Sequence, residues 1–529
     1  MTPPPLYNGI HPPAEWPPRT IRPGGDPLPV PYLANPPRVI PIDVGRQLFV
    51  DDFLIEHTTL RRIYHAAKVH EAAPVLSPET DLELNQSHCP VAAPFNDGAW
   101  YDPAEQTFKL WYHAGWFDGT ALATSSDGIN WERPSLDIVP GTNAVIAHPP
   151  GWRRDGALVW LDADADPPER FKMFIFWRHP ERHEGLIYTS PDGIHWNERG
   201  PTSQCGDNSS FFYNPFRRRF VFSIRLSWNR RARLYFERPD FLQAARWDPD
   251  LAVRWARADR LDRPDPFLGL RPQLYDVNAV AYESIMLGAF AIFHGPENPD
   301  AASISRPKIN DLQLAYSRDG FHWRRPHRQA FIGASRRWGD WNYGYIHAAG
   351  GICLVVGDEL WFYYGAFSGQ GSVLKPGEFG GEYEQDNAMY AGGHTGLATL
   401  RRDGFASMQA DSDCGVLATR LVTFSGSQLF VNLDTPQGEL RVEILDEHGD
   451  VMHPFSLANC RPLTTDATRT RVNWNGAGDL SSLAGRPVQF RFHLRNGNLY
   501  AFWVSPSTSG ASNGYLAAGG PGLSGPVDV

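Results

Sequence analysis

Through the middle of the chain the apolar residues come in short runs, not at helical spacing. Residues 108–113, 171–177, 220–225, 287–293 and 360–364 are strings such as Phe171-Lys172-Met173-Phe174-Ile175-Phe176-Trp177, separated by segments rich in Gly, Pro, Asp and Asn. Runs of this length, rich in aromatic and β-branched residues and closed by turn formers, predict strands. Each run is flanked by two further apolar stretches. The groups of three are 98–101, 108–113 and 121–124; 157–161, 171–177 and 186–189; 210–213, 220–225 and 233–236; 277–282, 287–293 and 312–316; and 352–356, 360–364 and 396–400. From about residue 416 the pattern changes to alternation. Leu440-Arg441-Val442-Glu443-Ile444 and Val488-Gln489-Phe490-Arg491-Phe492-His493-Leu494 set apolar against polar residues with period two, as half-buried antiparallel strands do.

Three of the groups close on one repeated module: Ser125-Ser126-Asp127-Gly128-Ile129-Asn130-Trp131, Ser190-Pro191-Asp192-Gly193-Ile194-His195-Trp196 and Ser317-Arg318-Asp319-Gly320-Phe321-His322-Trp323. Degenerate copies stand at Glu237-Arg238-Pro239-Asp240-Phe241 and Arg401-Arg402-Asp403-Gly404-Phe405. Repetition on this scale points to a solenoid or a propeller, and small sheets packed radially leave their shared axis for binding and chemistry. In the module, Asp accepts local backbone N–H groups and Gly supplies a positive φ, while Trp buries a large area. Its role is therefore structural. The module resembles the Asp-box of sialidases and related propellers, which implies a place on the outer turns, away from the axis. The expected fold class is all-β: a five-bladed β-propeller over 44–415 followed by a C-terminal β-sandwich over 416–529, with hairpin turns at Asn475-Gly476 and Asn496-Gly497. Residues 1–43, Pro-rich from Pro3 to Pro41, predict an extended arm with Tyr7, Trp16 and Tyr32 as apolar anchors. Strand-like residues in 47–70 are left to close the outer edge of the ring, and the Gly/Ser-rich tail from Ser505 predicts irregular chain.

Composition narrows the function. The 529 residues include 18 Trp, 49 Gly and 46 Pro, a mix that suits short strands and tight turns. A formal charge of -10 offers no basic field for a phosphate backbone, so nucleic acid is not an expected partner. No run approaches the ~18 apolar residues of a membrane span. The cysteines Cys89, Cys205, Cys353, Cys414 and Cys460 lack CxxC spacing, so neither a zinc site nor a disulfide framework is expected, and no metal or cofactor is implied. The first residues carry neither a basic n-region nor an apolar h-region; a cytoplasmic location is the expectation.

In a propeller the innermost strand of each blade starts near the axis, so residues just before it can converge. Those positions hold Asp97, Asp155, Asp207 and Asp276, and Glu283 lies further along the fourth group. One such acid is ordinarily a turn residue; four at matching phase are candidates for shared chemistry, with a structural cation site as the competing reading. Carboxylates at close quarters cannot all ionise, so their pKa values separate. Glycoside cleavage uses that separation, one carboxyl donating a proton while another attacks or activates water. Sugar binding asks for aromatic faces and planar donors; the candidates are Arg225, Trp228, Trp341, Tyr343 and His347, along with Trp116, Trp152 and Trp338. Asp51-Asp52, an acidic doublet in an apolar stretch, is costly unless hydrogen-bonded or functional. Asp52 is thus a candidate for the site, with pairing to Arg61 or Arg62 as the alternative. Residues 369–394, which include Glu378, Glu382, Glu384 and Asp386, form a long loop that reads equally as a lid or as plain surface.

Phe95-Asn96-Asp97-Gly98-Ala99-Trp100-Tyr101-Asp102, followed by Phe108-Lys109-Leu110-Trp111-Tyr112, resembles the Asn-Asp-Pro-Asn-Gly strand that opens the propellers of glycoside hydrolase family 32. The resemblance implies a nucleophile at Asp97. Arg154-Asp155 is similar to that family's Arg-Asp-Pro, which implies that Asp155 binds sugar hydroxyls and stabilises the transition state, with Arg154 and Asp276 beside the substrate. Pro is absent after both aspartates, and Gly206-Asp207 stands where the family has Glu-Cys. The acid then falls to Asp207 by position or to Glu283 by residue type. Glu283 is preferred for its reach and for Tyr282 and Met286 beside it, which would raise its pKa. Families 43, 68 and 130 are similar as well. The function implied is that of a glycosidase cleaving a small oligosaccharide or glycoside, with fructofuranosides and arabinofuranosides among the candidates. A glycoside phosphorylase, which needs a basic phosphate pocket, stays open. So does a non-catalytic carbohydrate-binding propeller, whose inner carboxylates would pair with Arg and Lys. The partner implied is an oligosaccharide, and a homo-oligomer is left open.

Overall fold

Each of the five long apolar runs becomes the middle strand of an antiparallel sheet. The computed structural model describes residues 4–19, 25–85, 89–179, 181, 183–225, 231–371 and 388–529. The chain is all-β, 44% strand and 5% helix. The first sheet is Val91–Asp102, Thr107–Ala114 and Gly119–Ser125; the second is Arg153–Leu161, Phe171–Arg178, His183–Ser190 and Asn197–Pro201. The third is Ser210–Asn214, Arg219–Arg225, Ala232–Arg238 and Val253–Arg257; the fourth is Gln273–Glu283, Ile285–Gly295 and Ile309–Ser317. The fifth is Gly344–Ala348, Glu359–Phe367 and Gly393–Arg401, with Lys68–Val69 added antiparallel at its edge. Both faces of the middle strands are covered by neighbouring sheets, which is why those runs are mostly apolar: Trp111 and Trp177 are wholly buried.

The leading strands lie side by side in the order first, second, third, fourth; the fifth contacts the fourth sheet and then the first strand again. A parallel pairing of Gly393 with Val91 and a bridge from Asn96 to Ala349 join the last sheet to the first. Sequence reading had placed the fifth leading strand at 352–356. The strand beside the axis is Gly344–Ala348, and Leu354–Val356 continues after a break at Gly350-Gly351. The break has a steric cause. A Cβ on Gly350 would lie 2.6 Å from the Asp97 carbonyl oxygen, and one on Gly351 2.9 Å from that of Ala99.

The repeated modules make the seams between sheets. In each, Asp Oδ1 accepts the backbone N–H groups two and three residues further on at 2.8–2.9 Å, and the Ser Oγ accepts the Gly N–H. The turn then offers a carbonyl to the preceding sheet. Tyr363 Oη donates to Gly128 O at 2.6 Å, Trp111 Nε1 to Gly193 O at 2.8 Å and Trp255 Nε1 to Phe321 O at 2.8 Å. The degenerate copy repeats the theme with a side chain: Tyr282 Oη donates to Asp403 Oδ1 at 2.6 Å.

A second core lies between two more sheets. One contains Asp466–Arg471, Gln428–Asp434, Gly497–Ser505, Ala406–Ala410, Arg61–Tyr64 and Gln47–Leu48. The other contains Glu439–Leu445, Gln489–Arg495, Gly415–Thr419 and Ile55–Thr58. Leu440, Val442, Ile444, Phe490, Phe492 and Leu494 point inward, as the alternation predicts. The expected boundaries at 44 and 415 do not follow strand pairing, because the strands within 47–64 and 406–410 complete this second core. Within 47–70 only Lys68–Val69 joins the ring.

The N-terminal arm is packed down by its three anchors. Tyr7 stacks on Phe216 at 4.2 Å, Trp16 meets Phe321 at 5.4 Å and Tyr32 donates to the His322 carbonyl at 3.1 Å. The tail is mostly irregular, yet it crosses the far ends of three leading strands. Its bonds are Ala517 N to Ala281 O (3.1 Å), Tyr101 N to Ala518 O (3.0 Å) and Val355 N to Gly519 O (2.8 Å).

Candidate active site

The starts of the five leading strands meet at the end of the ring opposite the tail. Asn96-Asp97 sits in a bulge where the first strand changes register between Ala93 and Gly98, with Asn96 at φ 71°; such bulges re-aim side chains. Asn96 Oδ1 accepts from Asn278 Nδ2 of the fourth sheet at 3.0 Å. Asp97 is wholly buried. It accepts the Phe95 N–H at 2.6 Å and is ion-paired to Arg154. Burial outweighs that pairing and lifts its carboxyl to about 6. The same burial lowers the Arg154 guanidinium.

Asp155 accepts the Gly156 N–H at 2.8 Å through Oδ1 and bonds Arg178 through Oδ2. Arg178 spans two sheets, since its other arm bonds Asp207, which also pairs with Arg225. These groups form the mouth: the side chains of Arg178, Arg225 and Asp207 are 28%, 24% and 18% exposed, that of Asp155 5%. From the fourth and fifth sheets, Asp276 Oδ2 meets His347 Nδ1 at 3.2 Å, and the Tyr275 and Tyr345 hydroxyls meet at 2.7 Å. His347 also packs against Phe95 at 4.2 Å, which brings it beside Asp97. Burial lowers the His347 imidazole, so it is neutral.

Asp97, Arg154, Asp155, Asp207, Arg225, Asp276 and His347 therefore share one hub. Glu283 does not. It ends the strand that Asp276 begins, and at roughly 3.3 Å per residue seven residues put it about 23 Å away. There it accepts the Arg46 N–H at 3.0 Å and Ser512 Oγ at 2.7 Å, with Arg402 at 3.2 Å. Residue type had favoured Glu283 for the acid; strand direction sends it to the tail end of the ring. Asp52 also lies elsewhere, 75% exposed and paired with Arg62, while Asp51 is buried against Arg318 at 2.8 Å. Trp341 packs on Tyr364 at 5.9 Å and Tyr343 on Trp338 at 5.5 Å, on the flank of the fifth sheet. Trp228 and most of the 369–394 loop, with its four acids, lie outside the described residues.

Sequence reasoning missed much of the hub's chemistry. Arg178 ends a middle strand, and Arg231 and Arg233 open the next strand of the third sheet; Lys308 precedes the third strand of the fourth sheet, and Tyr390 follows the long loop. Arg225, which ends a middle strand, is among the expected candidates; nothing in the strand pattern sets these other cations apart from surface Arg and Lys. Arg231 holds Glu297 with two bonds of 2.9 Å. The Lys308 ammonium stands over the rings of Tyr345, Tyr390 and Tyr275 at 5.0, 5.3 and 5.7 Å.

No family model matches this chain, and neither does any curated protein sequence. Among solved structures, an N-acetylgalactosamine deacetylase from F. plautii in complex with blood group B trisaccharide is similar at 15% identity, covering 65% of this chain and 96% of its own, with a TM-score of 0.43. A structure described under glycoside hydrolase family 130, mannoside phosphorylases that include hydrolases of β-1,2-mannosidic linkages in Candida mannan, is similar at 13% identity, with 67% and 96% covered and a TM-score of 0.41. The β-fructofuranosidase of Schwanniomyces occidentalis complexed with fructosyl-erythritol shares 11% identity over 83% of this chain and 97% of its own, with a TM-score of 0.37. These solved structures to which the chain is similar are enzymes of carbohydrates.

Proposed function

We propose that the five sheets are the blades of one propeller, within 65–401, that the second core is a C-terminal β-sandwich completed by N-terminal strands, and that the hub cleaves glycosidic bonds. One arrangement supports this reading: Asp97, Asp155 and Asp207, from three separate sheets, are tied into a single cluster by Arg154 and Arg178. Asp155 and Asp207 reach the mouth and take the two carboxyl roles that glycoside cleavage requires. Asp207 takes the proton-donor role, since Glu283 is remote. Asp97 lies beneath them as a positioning residue. It holds Arg154, next in sequence to Asp155, and its carboxyl near 6 changes charge close to neutral pH.

The test is a screen of aryl furanosides and pyranosides on the intact protein, then the same assay on Asp155→Asn and Asp207→Asn. Each variant is expected to lose ~10²–10⁴-fold in kcat with unchanged melting and circular dichroism. Undiminished turnover by Asp155→Asn would sink the assignment. Glycan binding with no cleavage of any substrate by the wild type would favour a carbohydrate-binding role.

A further inference from the structure

Charges of both signs come to the hub from several sheets: Arg154, Asp155 and Arg178 from the second, Arg225 and Arg233 from the third, and Asp276 from the fourth. Arg154, Arg178, Arg225, Arg231, Arg233 and Lys308 meet Asp97, Asp155, Asp207, Asp276 and Glu297 there. Asp97 is taken by Arg154, Asp155 by Arg178, Asp207 by Arg178 and Arg225 and Glu297 by Arg231, while Asp276 has the neutral imidazole of His347 at 3.2 Å and acts on the Arg233 charge.

Arg233 and Lys308 pair with no carboxylate among the described residues. Arg233 is 1% exposed and spends Nη1 on the Asn208 carbonyl at 2.5 Å, while Nε and Nη2 have no partner. Burial draws its guanidinium down to about 9, with Asp276 the nearest charge opposing that fall. Lys308, 2% exposed, is held well below the usual lysine range by burial first and then by the Arg231 charge. A buried cation without a counter-charge is expensive. Lys308 without a carboxylate and Arg233 with two unused N–H groups, both within the field of the partly exposed Arg225, mark a place where an anion is stabilised.

We propose that the sugar bound at this hub carries its own carboxylate, a uronic-acid type of glycoside, held on the Arg225, Arg233 and Lys308 side while its glycosidic bond faces Asp155 and Asp207. The inference rests on the hub being the site proposed above. The unused Nε and Nη2 of Arg233 form the planar fork that a carboxylate fits. The Tyr275–Tyr345 hydroxyl pair adds neutral donors next to Lys308 without adding charge.

Calorimetric titration of the intact protein with glucuronate, galacturonate and mannuronate, each beside its neutral parent sugar and inorganic phosphate, tests the proposal. At least one uronate is expected to bind about tenfold or more tighter than its parent, because its carboxylate takes charge-assisted hydrogen bonds that the parent lacks. Lys308→Met and Arg225→Met are expected to erase that preference, and Lys308→Arg to restore part of it. Equal affinity for uronates and neutral sugars, or a preference that survives both Met variants, overturns the proposal. So does tighter binding of phosphate than of every uronate. If uronates bind but none of their aryl glycosides is cleaved, this inference stands and the cleavage reading falls. If neutral aryl glycosides are cleaved with no uronate preference, the reverse holds.

Discussion

Gly193 carries two constraints at once. Its φ of +79° is a region L-residues avoid, and a Cβ there would lie 2.5 Å from Cζ2 of Trp111. Gly193→Ala is expected to cost at least ~1–2 kcal/mol for the backbone alone, read as a lowered denaturant midpoint with unchanged slope. Glu283 makes the opposite case, a residue whose type suggested chemistry and whose place gives it a structural task. Replacing it with Gln leaves Arg46 and Arg402 underpaired in a buried cluster. Glu283→Gln is expected to lose roughly 3–5 kcal/mol of stability while kcat on any substrate found stays at the wild-type value. A fall in kcat without a fall in stability would return Glu283 to the active site. Asp97 lies between these cases, because its burial was not legible. An Asp before a strand reads the same whether it faces water or Arg154. Its carboxyl is raised from 3.8 to about 6, so the folded state binds more protons than the unfolded between those values. Its contribution to stability therefore falls as pH rises through that window, and Asp97→Asn is expected to flatten that part of the stability–pH curve.

At the scale of elements, periodicity carried far. Apart from the fifth leading strand, the strand groups and the alternating pair 440–444 and 488–494 became strands, because burial on both faces or on one face selects residues in those patterns. The tail shows where pattern is silent. Residues 515–519 hold three leading strands through backbone bonds, and backbone donors and acceptors are the same for every sequence. Removing 511–529 is expected to lower the melting temperature by several degrees and to speed proteolysis near residues 281 and 353, checked by scanning calorimetry and limited digestion. The module turns behave otherwise, since their carboxylates are locally satisfied. Despite some burial, local hydrogen bonds hold Asp127 and Asp192 down from 3.8 to about 2. The stability they add is present above about pH 4 and is lost as pH falls toward 2, a window for acid unfolding of the seams.

For the whole molecule, the two cores are stitched by segments distant in sequence. Arg46 reaches Asp403 at 2.9 Å and Glu283 at 3.4 Å, and Gln47–Leu48 pairs with Gly497–Ser505. A single cooperative thermal transition is expected, with tryptophan fluorescence and far-ultraviolet dichroism coinciding. Two resolved transitions would show that the stitching is weak. By itself the sequence determined that the chain is built of short strands, that turns of Ser, Asp and Gly recur between them, and that Asp97, Asp155, Asp207 and Asp276 share one phase. Those properties are local: they follow from side-chain periodicity and from hydrogen bonds within a few residues. Only the tertiary structure decided which strands belong to which core, that Glu283 faces away from the hub, and that Arg178, Arg233 and Lys308 reach it from second and third strands. Each of these depends on where separate segments come to rest against one another, and no spacing along the chain records that.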